Sequence, residues 1–328
     1  MIQRLASAYA LGLAAASFLA VCSAEAGWPE RPIHIIVPFP AGSAADTVSR
    51  QIGSRLAEKL GQPVVVDNRE GASGAIGTAK LASSEADGYT IGMTTTTPLV
   101  TVPLLNKDAG YKVDDFAPIA MIGYSPFVLV IHPSVPAKTI EDYIALAKAK
   151  PGSLSYSSDG DASLARLGAE LFASMTGIEL TQIPYKSSTQ AVIDLLAGRI
   201  DSQFGILTTT QRYIQNGQLR ALGVTTLQRL PEFPDLPTIA ESGLPGYEVT
   251  LWMAMVAPAQ TPQSVVDRLS TEINHIVAQD EVKKALHDQA IVADPRGPDE
   301  VRAAIQKDLK KWTDLTSSQT WTAKVPPR

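Results

Sequence analysis

The sequence predicts an α/β protein with two similar lobes, each built from a mixed sheet flanked by helices. The prediction depends on a repeated order of strand, glycine turn, helix and strand, which begins near residue 33 and returns beyond about residue 150. Gly42 and Gly61, which bracket the first helix, are 19 residues apart, and Gly160 and Gly177 bracket the second at a spacing of 17. Two similar α/β units are the simplest explanation of this spacing.

The first unit starts with an apolar strand and continues through a glycine turn into a helix. Within that helix Val48, Ile52, Leu56 and Leu60 recur every four residues, which predicts one stripe buried against the sheet. The elements predicted for this unit are strands at 33–37, 64–66 and 89–93 and helices at 46–60 and 74–82.

The second unit repeats this order, and two unusually apolar strands at 127–131 and 249–256 flank it. We expect these two strands to cross between the lobes. The other predicted elements are strands at 154–157, up to 183 and at 200–204, and helices at 164–175, 190–197, 263–278, 281–289 and 298–315. The predicted division is lobe one at 28–124 plus 252–328, on which the last three helices pack, and lobe two at 125–251. Two consecutive independent domains are the alternative.

Residues 1–26 have the pattern of a secretory signal peptide. Arg4 lies in a short polar start, 11–22 is almost wholly apolar, and Ala24-Glu25-Ala26 offers small residues for cleavage. The apolar run is shorter than the ~20 residues of a membrane-spanning helix, which favours export over an anchor. Residues 19–22 resemble a lipobox except for a valine, so lipid attachment at Cys22 is the other alternative. Cleavage after Ala26 removes the one cysteine of the chain and with it disulfides and thiolate chemistry.

The composition and the motifs argue against several classes of function. The net charge is −5 and 19% of residues are charged, without a block of like charges, which argues against nucleic acid as a partner. The four histidines are scattered and show no metal-ligand spacing, and no dinucleotide or triphosphate motif occurs. The G-A-S-G segment around Ser73 lacks a spacer residue of a nucleophile elbow. We predict a binding protein without cofactor or metal; a hydrolase using Ser73 or a threonine of 94–97 is the enzymatic alternative.

The turns that follow the predicted strands have the chemistry of an anion site. Ligands of parallel α/β sheets bind beyond the carboxyl ends of the strands, where helix N-termini present N–H groups, and donors facing each other across a cleft suit a carboxylate. Arg166 could add a guanidinium clamp or lie exposed on its helix, and Lys186 has the same two interpretations. Gly42 and Asp46 could instead make only a turn and a helix cap. Small hydroxyl side chains in these turns are Ser43, Ser73, Thr94 to Thr97, Ser157, Ser158, Ser163, Ser187, Ser188 and Thr189.

Several motifs occur together and in order along the chain. They are W-P-x-R-P-I at 28–33, P-F-P-A-G-x-x-x-D at 38–46, N-R-x-G-A-x-G-x-I-G at 68–77, P-Y-K at 184–186 and E-x-G-L-P-G-Y-E at 241–248. Over essentially all of the mature chain the sequence resembles the Bug, or TctC-type, solute receptors, which are periplasmic substrate-binding proteins of tripartite tricarboxylate transporters. The resemblance implies a two-lobed Venus-flytrap (periplasmic-binding-protein) fold, a monomer, a small organic carboxylate as ligand and a membrane permease as partner.

The resemblance also implies ligand contacts, because family receptors hold a carboxylate through the first strand-to-helix turn and ordered waters. The corresponding residues are Phe39, Pro40, Ala41, Gly42, Ser43, Ala44 and Asp46, with the serine-rich turn 157–163 from lobe two. The remaining residues that we predict to bind the ligand are Thr95, Thr96, Ser158, Asp159, Ser163, Arg166, Tyr185, Lys186, Ser187 and Gly205.

This chain departs from the family pattern at four of these positions. Ser43 replaces a glycine, Arg166 a histidine, Ser187 a glycine and Gly205 an aspartate that many members carry. The added cation and the missing carboxylate favour an anionic ligand without an ammonium group over an amino acid or an amide.

The sequence therefore predicts a periplasmic receptor for a di- or tricarboxylate, or for an aromatic carboxylate, that closes by population shift when the ligand contacts both lobes. Phe39, Tyr124 and Trp252 lie near the predicted cleft edges and keep aromatic acids open as ligands, although aromatic core packing is the alternative role. The alternative function is a ligand-sensing co-receptor that presents its closed form to a signalling protein.

Overall fold

The computed structural model describes residues 27–185 and 187–318. The predicted signal peptide at 1–26 and the predicted ligand residue Lys186 lie outside these described residues. The strands are β1 (Ile33–Val37), β2 (Val64–Asn68), β3 (Thr90–Thr95), β4 (Phe116–Ile131), β5 (Ser155–Ser158), β6 (Thr181–Pro184), β7 (Ser202–Ile206), β8 (Arg220–Val224), β9 (Thr250–Pro258) and β10 (Val292–Arg296).

Ten α-helices pack around these strands in the described part of the chain. They are α1 (Ala44–Leu60), α2 (Ala75–Ala82), α3 (Val102–Leu105), α4 (Ile140–Ala149), α5 (Leu164–Thr176), α6 (Ser188–Leu196), α7 (Leu207–Gln215), α8 (Gln263–Val277), α9 (Asp280–His287) and α10 (Pro298–Thr316). Two short irregular helices matter for the site. A 3₁₀ turn at Ala72–Gly74 leads into α2, and a π-helical turn at Thr97–Thr101 leads into α3.

The two α/β units have the same strand order. In the first, β1 lies between β2 and β3 and pairs in parallel with both. In the second, β5 lies between β6 and β7, again in parallel with both. The sequence repeat therefore corresponds to two copies of one parallel three-stranded unit, in which the carboxyl ends of all three strands meet at one edge.

The long strand β4 connects the two units. Residues Phe116 to Pro126 pair antiparallel with β9, and Met121 to Tyr124 within this stretch also pair with β10. The last five residues, Phe127 to Ile131, pair antiparallel with β7 and β8 instead. One continuous strand therefore passes from the first sheet into the second, and the predicted strand 127–131 is its final part.

The return connection runs through the segment before β9. Val249 N–H donates to Thr225 O at 3.0 Å, so this segment is attached to the second sheet just before the chain enters β9. From Thr250 onward β9 pairs with β3 and β4 in the first sheet. The predicted lobe boundaries, 124/125 and 251/252, stay a prediction, since the sheets show where strands pair and not how the halves move.

Helix α1 shows why the sequence pattern of the first unit succeeds. Its predicted stripe of Val48, Ile52, Leu56 and Leu60 is confirmed, because all four side chains are buried. Gly61 ends the helix in the left-handed conformation, with φ 69°, and Gly177 ends α5 in the same way with φ 67°. The post-helix glycines of the repeat are therefore C-terminal caps.

The helices of the last third close the first sheet. Helix α8 lies in a hydrophobic cluster with α1, β1 and the middle of β9, as the sequence predicts. Helix α10 buries Val301, Ile305 and Trp312 in a second cluster, which also contains residues of α5. Within residues 27–185 and 187–318, none of the helices combines the length and the apolar character needed to cross a membrane.

Candidate functional site

A cavity of about 360 Å³, here called the cleft, lies where the carboxyl ends of the parallel strands of both units face each other. Its walls come from the segments after β1, β2 and β3 and from those after β5, β6 and β7. The lining residues are Pro38, Phe39, Pro40, Glu70, Gly71, Ser73, Gly74, Thr95, Thr97, Phe127, Asp159, Ser163, Leu164, Ala165, Ser188, Phe204, Ile206 and Leu251. A ligand in the cleft would contact both units at once.

The turn 71–74 forms part of the first wall and is conformationally strained. Four consecutive residues have positive φ: Gly71 at 126°, Ala72 at 48°, Ser73 at 55° and Gly74 at 89°. The left-handed region is unfavourable for alanine and serine, and strained backbone of this kind concentrates at ligand sites. Gly71, Ser73 and Gly74 line the cleft. The sequence indicated Ser73 only as a hydroxyl of the predicted anion-site turns and as the nucleophile of the enzymatic alternative, and it did not single out Gly71 or Gly74.

The predicted turn 39–46 divides between the cleft and an internal network. Phe39 and Pro40 line the cleft, whereas Ala41 to Ala44 and Asp46 do not. Gly42 N–H donates to Asp46 Oδ2 at 2.9 Å, and the Ser43 hydroxyl accepts a hydrogen bond from Asp46 N–H at 3.3 Å as the N-cap of α1. The structure thus gives these residues the turn and cap roles that the sequence left as their alternative.

Asp46 is the centre of this network. The residue is buried, and its carboxylate also accepts hydrogen bonds from Asn68 Nδ2 at 2.9 Å and from Arg50 Nε at 3.1 Å. Burial raises the pKa of Asp46, but the hydrogen bonds from Arg50, Gly42 and Asn68 outweigh it, so that this pKa lies below its usual value. An ionised Asp46 therefore holds the turn between β1 and α1 in place.

The threonines at the end of β3 have separate roles. Thr95 lines the cleft and is buried, and its hydroxyl finds no hydrogen-bond partner within the described part of the chain. Thr96 does not line the cleft. Its hydroxyl accepts from Trp252 N–H at 3.2 Å and thereby fastens β3 to β9. A buried hydroxyl without a partner, on a residue that lines the cleft, is a candidate for a hydrogen bond with a ligand.

The turn after β5 brings Asp159 and Ser163 to the cleft. Ser163 is also the N-cap of α5, where its hydroxyl accepts from Arg166 N–H at 3.3 Å. Ser158 is buried beside this turn and accepts from Gln182 Nε2 at 2.7 Å. Leu164 and Ala165, the first two residues of α5, complete this wall.

Arg166 does not line the cleft. Its side chain is 5% exposed and its Nη1 lies 2.5 Å from Asp161 Oδ1, whose own side chain is 69% exposed. One turn further along α5, Glu170 Oε1 accepts a hydrogen bond from the Tyr156 hydroxyl at 2.7 Å. The predicted clamp is thus an internal ion pair in this structure, and whether it reaches a ligand stays a prediction.

The last three predicted positions lie at the rim or behind the wall. Tyr185 donates its hydroxyl proton to Asp194 Oδ2 at 2.9 Å. Ser187 is exposed and caps α6, and the neighbouring Ser188 lines the cleft instead. Gly205 is buried between Phe204 and Ile206, which both line the cleft, so position 205 faces the opposite side of β7.

The middle of the cleft is apolar. Phe39, Phe127, Phe204, Ile206 and Leu251 lie between the polar turns of the two units. Four of these five come from strands or a strand end that the sequence marks only as hydrophobic, so no local pattern distinguishes a cleft wall from ordinary core. Phe39, Phe204 and Ile206 could have been identified by their position at the carboxyl ends of parallel strands. Phe127 and Leu251 lie instead on the antiparallel strands β4 and β9, for which this rule gives no signal.

Tyr124 and Trp252, which the sequence placed near the cleft edges, line another cavity. This rear cavity has a volume of about 470 Å³ and is bounded by parts of β4, β9, β10 and α10 and by the segment 226–228. Phe39 is therefore the one residue of that aromatic trio that reaches the cleft. In residues 27–185 and 187–318, no group of three or more histidine, cysteine, aspartate or glutamate side chains is placed to hold a metal ion.

Comparisons with known proteins give a consistent result. The family model described as "Tripartite tricarboxylate transporter family receptor" matches residues 48–320. Protein BugT of Bordetella pertussis is 36% identical over 316 residues, which cover 96% of this chain and 97% of BugT. Relatives and structural neighbours of this family are solute-binding receptors and not enzymes.

Solved structures show the same fold. An R. palustris protein solved with adipate is 34% identical, with a TM-score of 0.76 over 88% of this chain and 97% of that protein. MatC from Rhodopseudomonas palustris with bound malate is 25% identical, with a TM-score of 0.74 over 88% of this chain and all of MatC (100%). These likenesses confirm the predicted α/β fold of the periplasmic-binding-protein type.

Proposed function

Because this chain belongs to the tripartite tricarboxylate transporter receptor family, we propose that it is a periplasmic receptor that binds a small organic carboxylate in the cleft and delivers it to a membrane permease. Members of the family are periplasmic solute-binding receptors. Export of this chain through a signal peptide cleaved near Ala26, action as a monomer, and transfer to a tripartite tricarboxylate transporter are the specific parts of the proposal.

The observation that carries the proposal is one cavity that is walled by turns of both α/β units and lined by a residue with a buried, unpartnered hydroxyl. Thr95 supplies this hydroxyl, and the strained turn of Gly71, Ser73 and Gly74 lies beside it. We propose that the first carboxylate of the ligand is held here, by the Thr95 and Ser73 hydroxyls and by backbone N–H groups. Hydrogen bonds from neutral donors favour a carboxylate without a counter-charge in the protein.

The second unit supplies the other end of the site. Ser163 and Ser188 are hydroxyl donors there, and Asp159 is an acceptor. The apolar side chains between the two ends would contact the middle of the ligand. A carboxylate with an apolar centre fits this arrangement, either an aliphatic dicarboxylate, such as the adipate bound by the R. palustris relative, or an aromatic acid.

In the structure, the departures from the family pattern do not add a free positive charge to the cleft. Arg166 is paired with Asp161 instead of adding a free cation to the cleft, and position 205 faces away from it. Two carboxylates, Glu70 and Asp159, line the cleft among the described residues. An amino acid therefore stays in the panel of ligands to be tested beside the di- and tricarboxylates.

The proposed mechanism is a population shift. A ligand that contacts residues of both lobes, 28–124 plus 252–328 and 125–251, gains its full set of contacts when the lobes are closed, so binding favours that state. The permease then distinguishes closed from open receptor. The lobe boundaries in this mechanism are those proposed from the sequence.

The test is thermal unfolding of refolded, ligand-stripped mature protein, residues 27–328, against a panel of ligands. The panel contains adipate, malate, citrate, benzoate, glutamate and butyramide at matched ionic strength. A ligand present at about 100 times its dissociation constant stabilises the protein by about 2.7 kcal/mol, which raises Tm by about 4 °C for a protein of this size.

Stabilisation by a carboxylate and not by butyramide would support the receptor function and give the ligand class. Stabilisation by the amide alone, or by none of the six compounds, would contradict the proposed carboxylate class. Isothermal titration of each stabilising compound then measures its affinity and stoichiometry, and a stoichiometry of one per chain is expected.

A further inference from the structure

The rear cavity lies on the opposite face of the β4 and β9 ribbon from the cleft. Leu251 of β9 lines the cleft, whereas its neighbours Thr250 and Trp252 line the rear cavity. Successive side chains of a strand point to opposite faces, so one strand forms a wall of both cavities. The segment 226–228, which follows β8, closes the rear cavity from the side of the second sheet.

Most of the wall of the rear cavity is formed by strands and by helix α10, and only a small part by loops. Helix α10 contributes one face, at spacings of three and four residues, and β10 contributes Asp294 and Arg296 from a single side. The residues of α10 in the wall are Glu300, Ala303, Ala304, Lys307 and Asp308. The two alanines leave the open space, because larger side chains at these positions would fill it.

Carboxylates outnumber cations in the wall. The lining residues in the described chain include the carboxylates of Glu248, Asp294, Glu300 and Asp308 and the cations of Arg296 and Lys307. The ion pairs they form are Arg296–Asp294 at 2.7 Å, Lys307–Glu248 at 2.5 Å and, to a residue outside the wall, Lys311–Asp308 at 2.7 Å. Glu300 alone among these four carboxylates takes part in none of these pairs.

The aromatic side chains of the rear cavity, Tyr124 and Trp252, lie among these carboxylates. Trp252 donates its indole N–H to Asp308 Oδ2 at 2.8 Å, which fixes the ring in the wall. Burial raises the pKa of Tyr124, and the carboxylates of Asp294 and Glu248 raise it further against the opposing effect of Arg296. Aromatic rings beside excess negative charge are the surroundings in which proteins bind organic cations.

We propose that the rear cavity is a second ligand site, which binds a small aliphatic ammonium compound. Its ammonium group would pair with Glu300, and its methylene groups would pack on Ala303, Ala304 and Trp252. A volume of about 470 Å³ is enough for a short diamine or a choline-sized cation. Because Trp252 and Leu251 are neighbours on β9, a ligand at this site would contact the strand that also forms the cleft wall.

The experiment is isothermal titration of the mature full chain with putrescine and choline, and with 1,4-butanediol as the uncharged analogue of putrescine, at constant ionic strength. Two variants test the location. Glu300→Gln removes the unpaired charge, and Ala303→Leu fills the cavity from an exposed helix position that tolerates a larger side chain. Asp299→Asn is the matched control, since Asp299 is exposed in the same first turn of α10 and does not line the cavity.

We expect at least one ammonium compound to bind and butanediol not to bind. The affinity for the ammonium compound should fall at least fivefold in Glu300→Gln and in Ala303→Leu, and less than twofold in Asp299→Asn. Absence of binding by both ammonium compounds at millimolar concentration would overturn the proposal. Binding that is unchanged in both cavity variants, or weakened equally in Asp299→Asn, would also overturn it, because the cation would then bind elsewhere or through the net charge alone.

Discussion

The Thr101 hydroxyl lies 2.7 Å from the carbonyl oxygen of Ala162 and donates a hydrogen bond to it. Thr101 belongs to the segment predicted as lobe one and is fully buried, and Ala162 belongs to the predicted lobe two. Ala162 is part of the turn that carries Asp159 and Ser163 into the cleft. This one bond therefore connects a wall of the cleft to the opposite half of the molecule.

Replacing Thr101 by valine tests this connection. Valine has nearly the shape of threonine but cannot donate, so the Ala162 carbonyl loses a partner at a cost of about 1 kcal/mol. We expect Thr101→Val to lower the free energy of unfolding by about that amount and to weaken ligand binding about fivefold, because the bond favours the arrangement with both walls in place. Urea unfolding and titration with the ligand identified in the thermal panel measure both effects.

Thr101→Ser is the control for this substitution, since it keeps the hydroxyl and removes only a methyl group. Serine should bind the ligand like the native protein while losing some stability from the missing methyl. Equal affinity of the valine variant and the native protein would show that the bond does not influence closure.

Gly74 is the second position with a clear expectation. Its φ is +89°, and a Cβ atom there would lie 2.8 Å from Pro98 Cβ, closer than real contacts allow. Gly74→Ala must therefore distort the strained turn 71–74, and we expect a loss of about 1–3 kcal/mol of stability together with a loss of ligand affinity of at least tenfold. Thermal unfolding and ligand titration give the two numbers.

Gly61→Ala is the control for Gly74→Ala, because it introduces backbone strain at a position away from the cleft. Gly61 also has positive φ, +69°, but no atom lies within 4 Å of a Cβ built there, and it is at the far end of α1. This variant should lose about 1 kcal/mol of stability and keep its ligand affinity. If both glycine variants bound the ligand normally, the turn 71–74 would not be part of the site.

The contrast between the two turns of the first unit shows what a sequence can and cannot predict. Strands, helices and cap glycines follow from local periodicity, and the repeat predicted two similar α/β units, whose three parallel strands have the same order in the structure. The turn 39–46 was an equally reasonable anion site, but the Asp46 carboxylate accepts the Gly42 N–H itself. Whether a backbone donor points to a ligand or to a nearby side chain depends on geometry that motif spacing does not contain.

The missed elements have a similar cause. Helices α4 and α7 and strands β8 and β10 lie outside the repeated pattern, and β8 and β10 each pair with the long strand β4. A short strand that is stabilised by a distant partner has little local signal. For the same reason the serine in the wall of the cleft is Ser188 and not the predicted Ser187, whose hydroxyl caps α6.

The role of Arg166 can be decided by whether Asp161→Asn and Arg166→Lys raise or lower the affinity for the ligand. If Arg166 binds the ligand carboxylate directly, Asp161 competes with the ligand, and Asp161→Asn should raise affinity while Arg166→Lys lowers it. The geometry favours a positioning role, in which the pair at 2.5 Å holds the turn of Asp159 and Ser163. We therefore expect both variants to lower affinity about two- to fivefold, the range of a partly exposed ion pair.

Ligand titration of the two single variants and the double variant measures this directly. If the pair has a positioning role, the double variant should bind the ligand about as tightly as each single variant, because both substitutions break the same interaction. A higher affinity in Asp161→Asn would establish Arg166 as a ligand contact, as the sequence first indicated.

The ionised state of Asp46 predicts a pH dependence of stability. The pKa of Asp46 in the folded protein is below its usual value, so its contribution is present above the unfolded pKa of about 3.9 and is lost as the pH falls through the folded pKa. Asp46→Asn should cost about 1–3 kcal/mol at pH 7, and the difference from the native protein should shrink below about pH 4. Denaturant unfolding at a series of pH values tests this.

Glu58→Gln is the control for the charge change, because Glu58 is an exposed carboxylate on the same helix. Its unfolding free energy should stay within about 0.5 kcal/mol of the native value. A constant difference between Asp46→Asn and the native protein from pH 7 to pH 3 would contradict the assigned role of the carboxylate.

Thr95 gives the sharpest test of the proposed ligand site, because stability and affinity should change in opposite directions. Its buried hydroxyl has no partner among the described residues, so replacing it by the similarly shaped valine removes an unsatisfied polar group and should leave the ligand-free protein as stable as before, or more stable by up to about 1 kcal/mol. The same change removes a hydrogen bond to the bound carboxylate, for which we expect a loss of affinity of about ten- to thirtyfold.

Thr94→Val is the matched control, since Thr94 is equally buried on β3 but does not line the cleft, and this variant should bind the ligand with native affinity. If Thr95→Val bound the ligand as tightly as the native protein, the carboxylate would have to lie elsewhere in the cleft, and the serines of the second unit would be the next residues to replace.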